Sequence, residues 1–190
     1  MANWCVNYIT FYGEKENITM LKDEIDSIID KIKNKPEHGF TPEGYMDAFD
    51  GNVKSSSDFM FDVETVDYTD GNEQLLIKYE TKWDVSEDIL DYLAMVFHVE
   101  FKGSCTEEQN RADTCSFIFG IFDTCDDMIV VKKTLAESGL EVDYMVEEKS
   151  YFGSEFLDDA LDDCADFFYA KFKAAVEDAR FQNEHEAWDE

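Results

Sequence analysis

Cations are what this sequence has least of. Lys and Arg together number 16 against 45 Asp and Glu, a formal charge of −29 at pH 7. Duplex binding rests on Lys and Arg displacing condensed counterions, so this balance argues against direct binding to nucleic acid. An anionic membrane surface is disfavoured on the same ground. Lys31, Lys33 and Lys35 come nearest to a basic cluster, and Asp30 and Glu37 dilute them. The sign fits a basic protein partner or divalent cations instead.

Other absences narrow the field further. Proline occurs twice, at Pro36 and Pro42. Both lie in residues 34–57, which also hold the Ser55-Ser56-Ser57 run, so this stretch reads as a long loop or small insertion rather than a domain linker. The three histidines, His38, His98 and His185, are isolated. The five cysteines include no Cys-x-x-Cys pair, and the regular spacing of Cys105, Cys115 and Cys125 is not a zinc-ligand spacing. With Cys5 and Cys164 they form an odd, scattered set that suggests reduced thiols in a cytosol. No apolar run approaches the roughly 20 residues of a membrane-spanning helix. The opening Met-Ala-Asn-Trp-Cys carries no basic stretch followed by a long apolar one, so no secretory signal is read and the host cytoplasm is the expected compartment.

What is present is enough for a core. Hydrophobic residues make up 44% and aromatics 15% of 190 residues, which separates this chain from a disordered acidic tail. The length suits one large domain, or one domain with an appendage. Self-repulsion at this charge weakens a compact state, so a fold that keeps the charge is expected to use it.

Along the chain, Trp4 to Tyr12 alternates as a strand bulky on both faces, and hence central in a sheet. Gly13 ends it. Ile18, Leu21, Ile25, Ile28, Ile29 and Ile32 follow helical spacing up to about Lys33. Phe59 to Val66 and Gln74 to Tyr79 read as strands joined across Asp70-Gly71, a hairpin signal. Asp84 and Glu87 have capping-box spacing, with Ser86 a rival cap, ahead of a helix carrying Ile89, Leu90, Leu93, Val96 and Phe97. Val99 to Lys102 returns as a strand. The order β-α-β-β-α-β is the split βαβ, or ferredoxin-like, arrangement, so the fold class is α+β. Beyond it the reading is a polar loop over 106–114, a strand at Cys115–Phe122, a helix from about Asp126 to Ser138 ending on Gly139, a strand at Leu140–Val146, and a last helix over roughly Ser154 to Phe181. The division falls near residue 123: a core over 1–122 and an α/β extension over 123–190 ending in an acidic helix, the two able to form one compact domain.

The opening Ala2-Asn3-Trp4-Cys5-Val6-Asn7-Tyr8-Ile9-Thr10 resembles a family of phage and plasmid proteins that begin with Asn-Trp-Cys-x-Asn on a strand, described as YubB-like with a ferredoxin-like domain. A second match is the Thr-x-Trp of Thr81-Lys82-Trp83, at a strand end before a helix. Family members usually carry prolines after this tryptophan, and this chain has none. The resemblance spans residues 1 to about 122. It implies a ferredoxin-like fold and a mobile-element origin, with no established activity and no iron–sulfur cluster. Trp4 and Trp83 would pack together beneath the sheet, with Asn3 and Asn7 fixing a turn or strand end.

Catalytic constellations are weak. Asp123, Asp126 and Asp127 with Thr124 and Cys125 do not follow the calcium-loop pattern. Asp126 and Asp127 read more naturally as first-turn acids meeting a helix dipole. Cys125 and His98 lie in no recognisable motif. No phosphate-binding glycine loop and no Gly-x-Ser-x-Gly occurs. No catalytic residue, metal or cofactor is assigned, and the chain is read as a non-enzyme.

The most distinctive segment is Ser154–Asp166. Wound at about 100° per residue, Glu155, Asp158, Asp159, Asp162, Asp163 and Asp166 fall within about 140°, opposite Leu157, Leu161, Cys164 and Phe168. Asp158, Asp162 and Asp166 are spaced about 6 Å per step along the axis, the order of the phosphate spacing on one DNA strand. The alternative is that this is an ordinary solvated helix face. Glu147 and Glu148 are secondary contact candidates, with Tyr151, Phe152, Phe156 and Tyr169 as aromatic anchors. The expected function is inhibition of a host nucleic-acid-directed defence system by partial DNA mimicry. The partner is a basic nucleic-acid-binding protein, a CRISPR effector first and a restriction enzyme second, and a homodimer is possible. The alternatives are a non-enzymatic accessory protein of a mobile element, assembling through a sheet edge, and a cation-dependent enzyme.

Overall fold

A computed structural model describes residues 4–34, 59–68, 73–82, 84–107, 116–122, 128–134 and 173–174. Their content is mixed α and β. The elements are β1 (Trp4–Tyr12), α1 (Lys15–Asn34), β2 (Phe61–Asp67), β3 (Gln74–Lys82), α2 (Glu87–Phe97), β4 (Glu100–Glu107), β5 (Ser116–Phe122) and β6 (Met128–Thr134). The six strands form one antiparallel sheet in the order β2-β3-β1-β4-β5-β6.

Strict alternation builds the centre of that sheet. Cys5, Asn7, Ile9 and Phe11 of β1 share one face with Leu75, Ile77, Tyr79 and Thr81 of β3, all buried. α1 and α2 pack on this face. α1 buries Ile18, Leu21, Ile25, Ile28 and Ile32, one residue per helical turn, and α2 buries Ile89, Leu90, Leu93 and Ala94. A fully buried side chain of this size contributes roughly 1.5–3 kcal/mol, so the two helical stripes supply much of the driving force. β1 and β4 approach closely at Gly103, where a Cβ would stand 2.5 Å from the backbone oxygen of Tyr8. α2 ends on His98, whose φ of 49° is left-handed, and Val99 N–H donates to Ala94 O at 3.0 Å.

Three local readings are corrected. The helix expected over Asp126–Ser138 is a strand from Met128 to Thr134, paired along its whole length with β5. The β-branched run Ile129-Val130-Val131 disfavours helix, and β5 offers an unsatisfied row of backbone groups that a strand satisfies. The dipole role given to Asp126 and Asp127 falls with that helix. The strand at Val99–Lys102 runs instead from Glu100 to Glu107, taking in residues expected as loop, because β1 provides a partner as far as Cys5↔Glu107. The capping box is not formed: Glu87 is the first helical residue, Asp84 accepts the N–H of Val85 at 2.8 Å, and Ser86 precedes the helix without a side-chain capping bond. Residues 35–58, the strand expected at Leu140–Val146 and all of the last helix except 173–174 lie outside the described residues.

Candidate functional site

The two short motifs meet in space. Asn7 faces Tyr79 across the β1–β3 ladder and Cys105 across the β1–β4 ladder. Its side-chain amide Nδ2 donates to Thr81 Oγ1 at 3.0 Å and to the backbone oxygens of Cys5 and Tyr79 at 3.3 Å each. Asn7 thus fixes the middle of a strand rather than its end, and ties the Asn-Trp-Cys-x-Asn segment to the Thr-x-Trp segment. The phenol oxygen of Tyr79 accepts a hydrogen bond from Ser86 Oγ at 3.1 Å, which fastens β3 to the entry of α2. Beside it, Lys132 of β6 donates to Asp84 and reaches Glu87 at 3.3 Å. The sixth strand is thereby clamped to the same helix start.

The electrostatics make this cluster a structural joint. Burial pushes the Tyr79 phenol well above the ordinary tyrosine range, only partly offset by the Ser86 bond. The Cys105 thiol is raised by its hydrogen bond with Cys5 and then by burial. A buried thiol held protonated is a poor nucleophile. Burial works against the charge of Lys132, but the hydrogen bond to Asp84 and the charges of Asp84 and Glu87 outweigh it and hold the ammonium above the ordinary lysine range. Asn7 Oδ1 has no hydrogen-bond donor among the described residues. No group of three or more His, Cys, Asp or Glu that could hold a metal occurs among them.

Trp4 belongs to the opposite face, where its ring meets Phe61 edge-on at 5.2 Å and Lys82 Nζ stands 5.4 Å from it. Asn3 and Trp83 lie outside the described residues, as do Asp123–Asp127. So do the ten residues expected to meet a partner: Glu147, Glu148, Tyr151, Phe152, Glu155, Asp158, Asp159, Asp162, Asp163 and Asp166. Within the expected C-terminal helix, residues 173 and 174 are helical, and Lys173 Nζ donates to Glu100 Oε2 at 2.7 Å.

Sequence reasoning missed where the scarce cations go. Lys22 pairs with Asp26, Lys31 with Glu24, Lys33 with Asp30, Lys78 with Glu64, Lys132 with Asp84 and Glu87, and Lys173 with Glu100. Lys82 stands over Trp4 and Phe61, and Lys102 over Tyr12. Only the i,i+3 and i,i+4 pairs on α1 were legible as spacing. Lys31 and Glu24 are seven residues apart on the same helix, and the remaining ion pairs join different segments of the chain. Pairing does not change the balance of charge, so the excess of 45 acids over 16 basic residues is left as uncompensated negative charge. No helix among the described residues is long and apolar enough to cross a membrane. No protein-family model, curated protein or solved structure matches this chain.

Proposed function

We propose that this protein is a stoichiometric inhibitor that competes with DNA or RNA for the basic surface of a host nucleic-acid-directed defence enzyme. The observation that carries the reading is the charge of −29 on a chain rich enough in apolar residues to fold. The pairing of lysines with carboxylates of the same chain supports it, since those cations are taken up within the molecule and the carboxylate surplus sets the outer field. Such a field steers association with a basic partner and raises on-rates at low salt.

The fold is assigned to the ferredoxin-like class, on the order β-α-β-β-α-β and the run β2-β3-β1-β4 within the sheet, with β5 and β6 as additions at the β4 edge. The YubB-like relationship rests on the two short motifs of the sequence, whose Asn7 and Thr81 meet in a single hydrogen bond. With it comes the mobile-element origin, for which a CRISPR effector or a restriction enzyme in the host cytoplasm is the natural target. The contact surface is the acidic helix, Glu155, Asp158, Asp159, Asp162, Asp163 and Asp166, with Glu147, Glu148, Tyr151 and Phe152 beside it.

The test is capture from a bacterial host with the tagged protein, followed by elution with duplex DNA. A DNA-binding nuclease released by the duplex supports mimicry. A partner indifferent to DNA moves the function to an ordinary accessory interface. Changing Asp158, Asp159, Asp162, Asp163 and Asp166 together to Asn is expected to preserve the far-ultraviolet spectrum and to abolish capture. Undiminished capture by that folded variant overturns the reading.

A further inference from the structure

The second face of the sheet is buried where neither α1 nor α2 can bury it. On β5, Ile118 and Gly120 share the helix-covered face with Gly103 and Phe101, as the β4–β5 register requires. Phe117, Phe119 and Ile121 alternate with them and point the other way. They are nevertheless 0%, 1% and 2% exposed. Three large apolar side chains reach that state only under a second packed layer.

Two further observations identify the layer. Glu100, beside Phe101 on β4, lies on this second face by the same alternation, and its carboxylate is held by Lys173 at 2.7 Å from a residue in helical conformation. The sequence around Lys173 carries Ala165, Phe168, Tyr169, Phe172 and Val176, an i, i+3, i+4, i+7, i+11 pattern that makes one apolar stripe. Lys173 follows Phe172 by one residue and therefore borders the stripe, about 100° around the helix. A cation at the border of an apolar stripe reaches a carboxylate beside an apolar patch without being buried.

We propose that residues 165–176 pack as an amphipathic helix across the second face, with Phe168, Tyr169, Phe172 and Val176 over Phe117, Phe119 and Ile121 and with Lys173 anchored on Glu100. The sheet then lies between two helical layers. The inference stands apart from the inhibitory reading and adds a direction to it. Asp159, Asp163 and Asp166 fall about 100° or more from the centre of the stripe and face outward, whereas Asp162 lies about 60° from that centre and Asp158 only about 20°, in line with the stripe and two turns before Ala165.

The experiment is site-specific photo-cross-linking in the full chain carrying Phe172→p-benzoylphenylalanine, with the cross-linked peptides identified by mass spectrometry. Cross-links to residues 100–106 or 116–122 of the same molecule are expected. Cross-links to α1 or α2, to a second copy, or none at all overturn the proposal. Phe172→Ser gives an independent reading by hydrogen exchange. Exchange of β5 amides at least tenfold faster, with α1 amides unchanged, is expected, and unchanged β5 exchange counts against the docking. The fivefold Asp→Asn variant separates the two proposals: it keeps the cross-link if the docking is right, whether or not it captures a partner.

Discussion

On the face of β1 beneath the helices, Cys5, Asn7, Ile9 and Phe11 are at 1% exposure or less, whereas Trp4, Val6, Tyr8, Thr10 and Tyr12 on the other face of the same strand are only half-buried. The first face combines aliphatic packing with one tightly bonded polar joint, Asn7–Thr81 and Tyr79–Ser86. The second carries aromatic rings with lysines set over them, Lys82 on Trp4 and Phe61, Lys102 on Tyr12. Both faces are rich in large side chains, so hydrophobicity alone does not separate them. The difference lies in how polar atoms are treated. On the covered face they are removed from water and must find partners within the protein. On the second face long lysines lay their stems along apolar rings and keep their charge near solvent.

Substitutions that exchange these roles test the comparison. Phe101→Ala, on the covered face, is expected to cost about 3–5 kcal/mol, because the site cannot collapse around the lost ring. Trp4→Ala, on the half-buried face, should cost distinctly less. Equal losses in denaturant midpoint would break the distinction between the faces. Asn7→Ala is expected to cost about 1–3 kcal/mol, since it strips the Tyr79 carbonyl and the Thr81 hydroxyl of their shared donor where all three residues are buried. A midpoint within error of the wild type would show that Asn7 is not the joint between the two motifs.

Charge gives smaller effects. Lys132→Met removes the cation that joins β6 to the start of α2 and is expected to cost about 0.5–1 kcal/mol at neutral pH. The folded protein holds this ammonium above the ordinary lysine range, so its contribution is complete below that range and is lost as pH rises through the folded value. The gap between wild type and variant should therefore close in strong alkali, as read from midpoints measured across the pH range. A gap that stays constant would mean that packing of the lysine stem, not charge, is lost. Asp91 provides the opposite sign. Burial, and then the charge of Asp88, raise its carboxyl above the ordinary range, so folding favours its protonated form. Asp91→Asn should stabilise the protein at neutral pH by about 0.2–0.5 kcal/mol, the size of relief from a like-charge helical pair, with the gain vanishing in acid.

The alternation in β1 and β3 and the isoleucine stripe of α1 were legible because each is a local period that dictates which side chains share a face. α2 was legible in the same way, but its entry was not: Asp84-x-x-Glu87 has capping spacing, and Lys132, distant in the chain, takes both carboxylates into an ion cluster instead. β6 was hidden for another reason: its partner β5 is next to it in the chain, but Met128–Thr134 has neither a clear helical nor a clear strand period. The acidic residues from Glu155 to Asp166 were legible as a pattern of charge, and they remain a pattern of charge.

The sequence by itself determined the excess of carboxylates, the central place of β1 and the apolar stripe of α1, since these depend on composition and on periods of two or 3.6 residues. Only the tertiary structure decided that residues 128–134 extend the sheet, that Asn7 meets Thr81, and that Lys132 and Lys173 meet Asp84 and Glu100. The three side-chain pairings join residues 48 to 74 positions apart, while 128–134 joins its neighbour β5, and all form because a polar group or an unpaired strand edge takes whichever partner the folded chain brings to it.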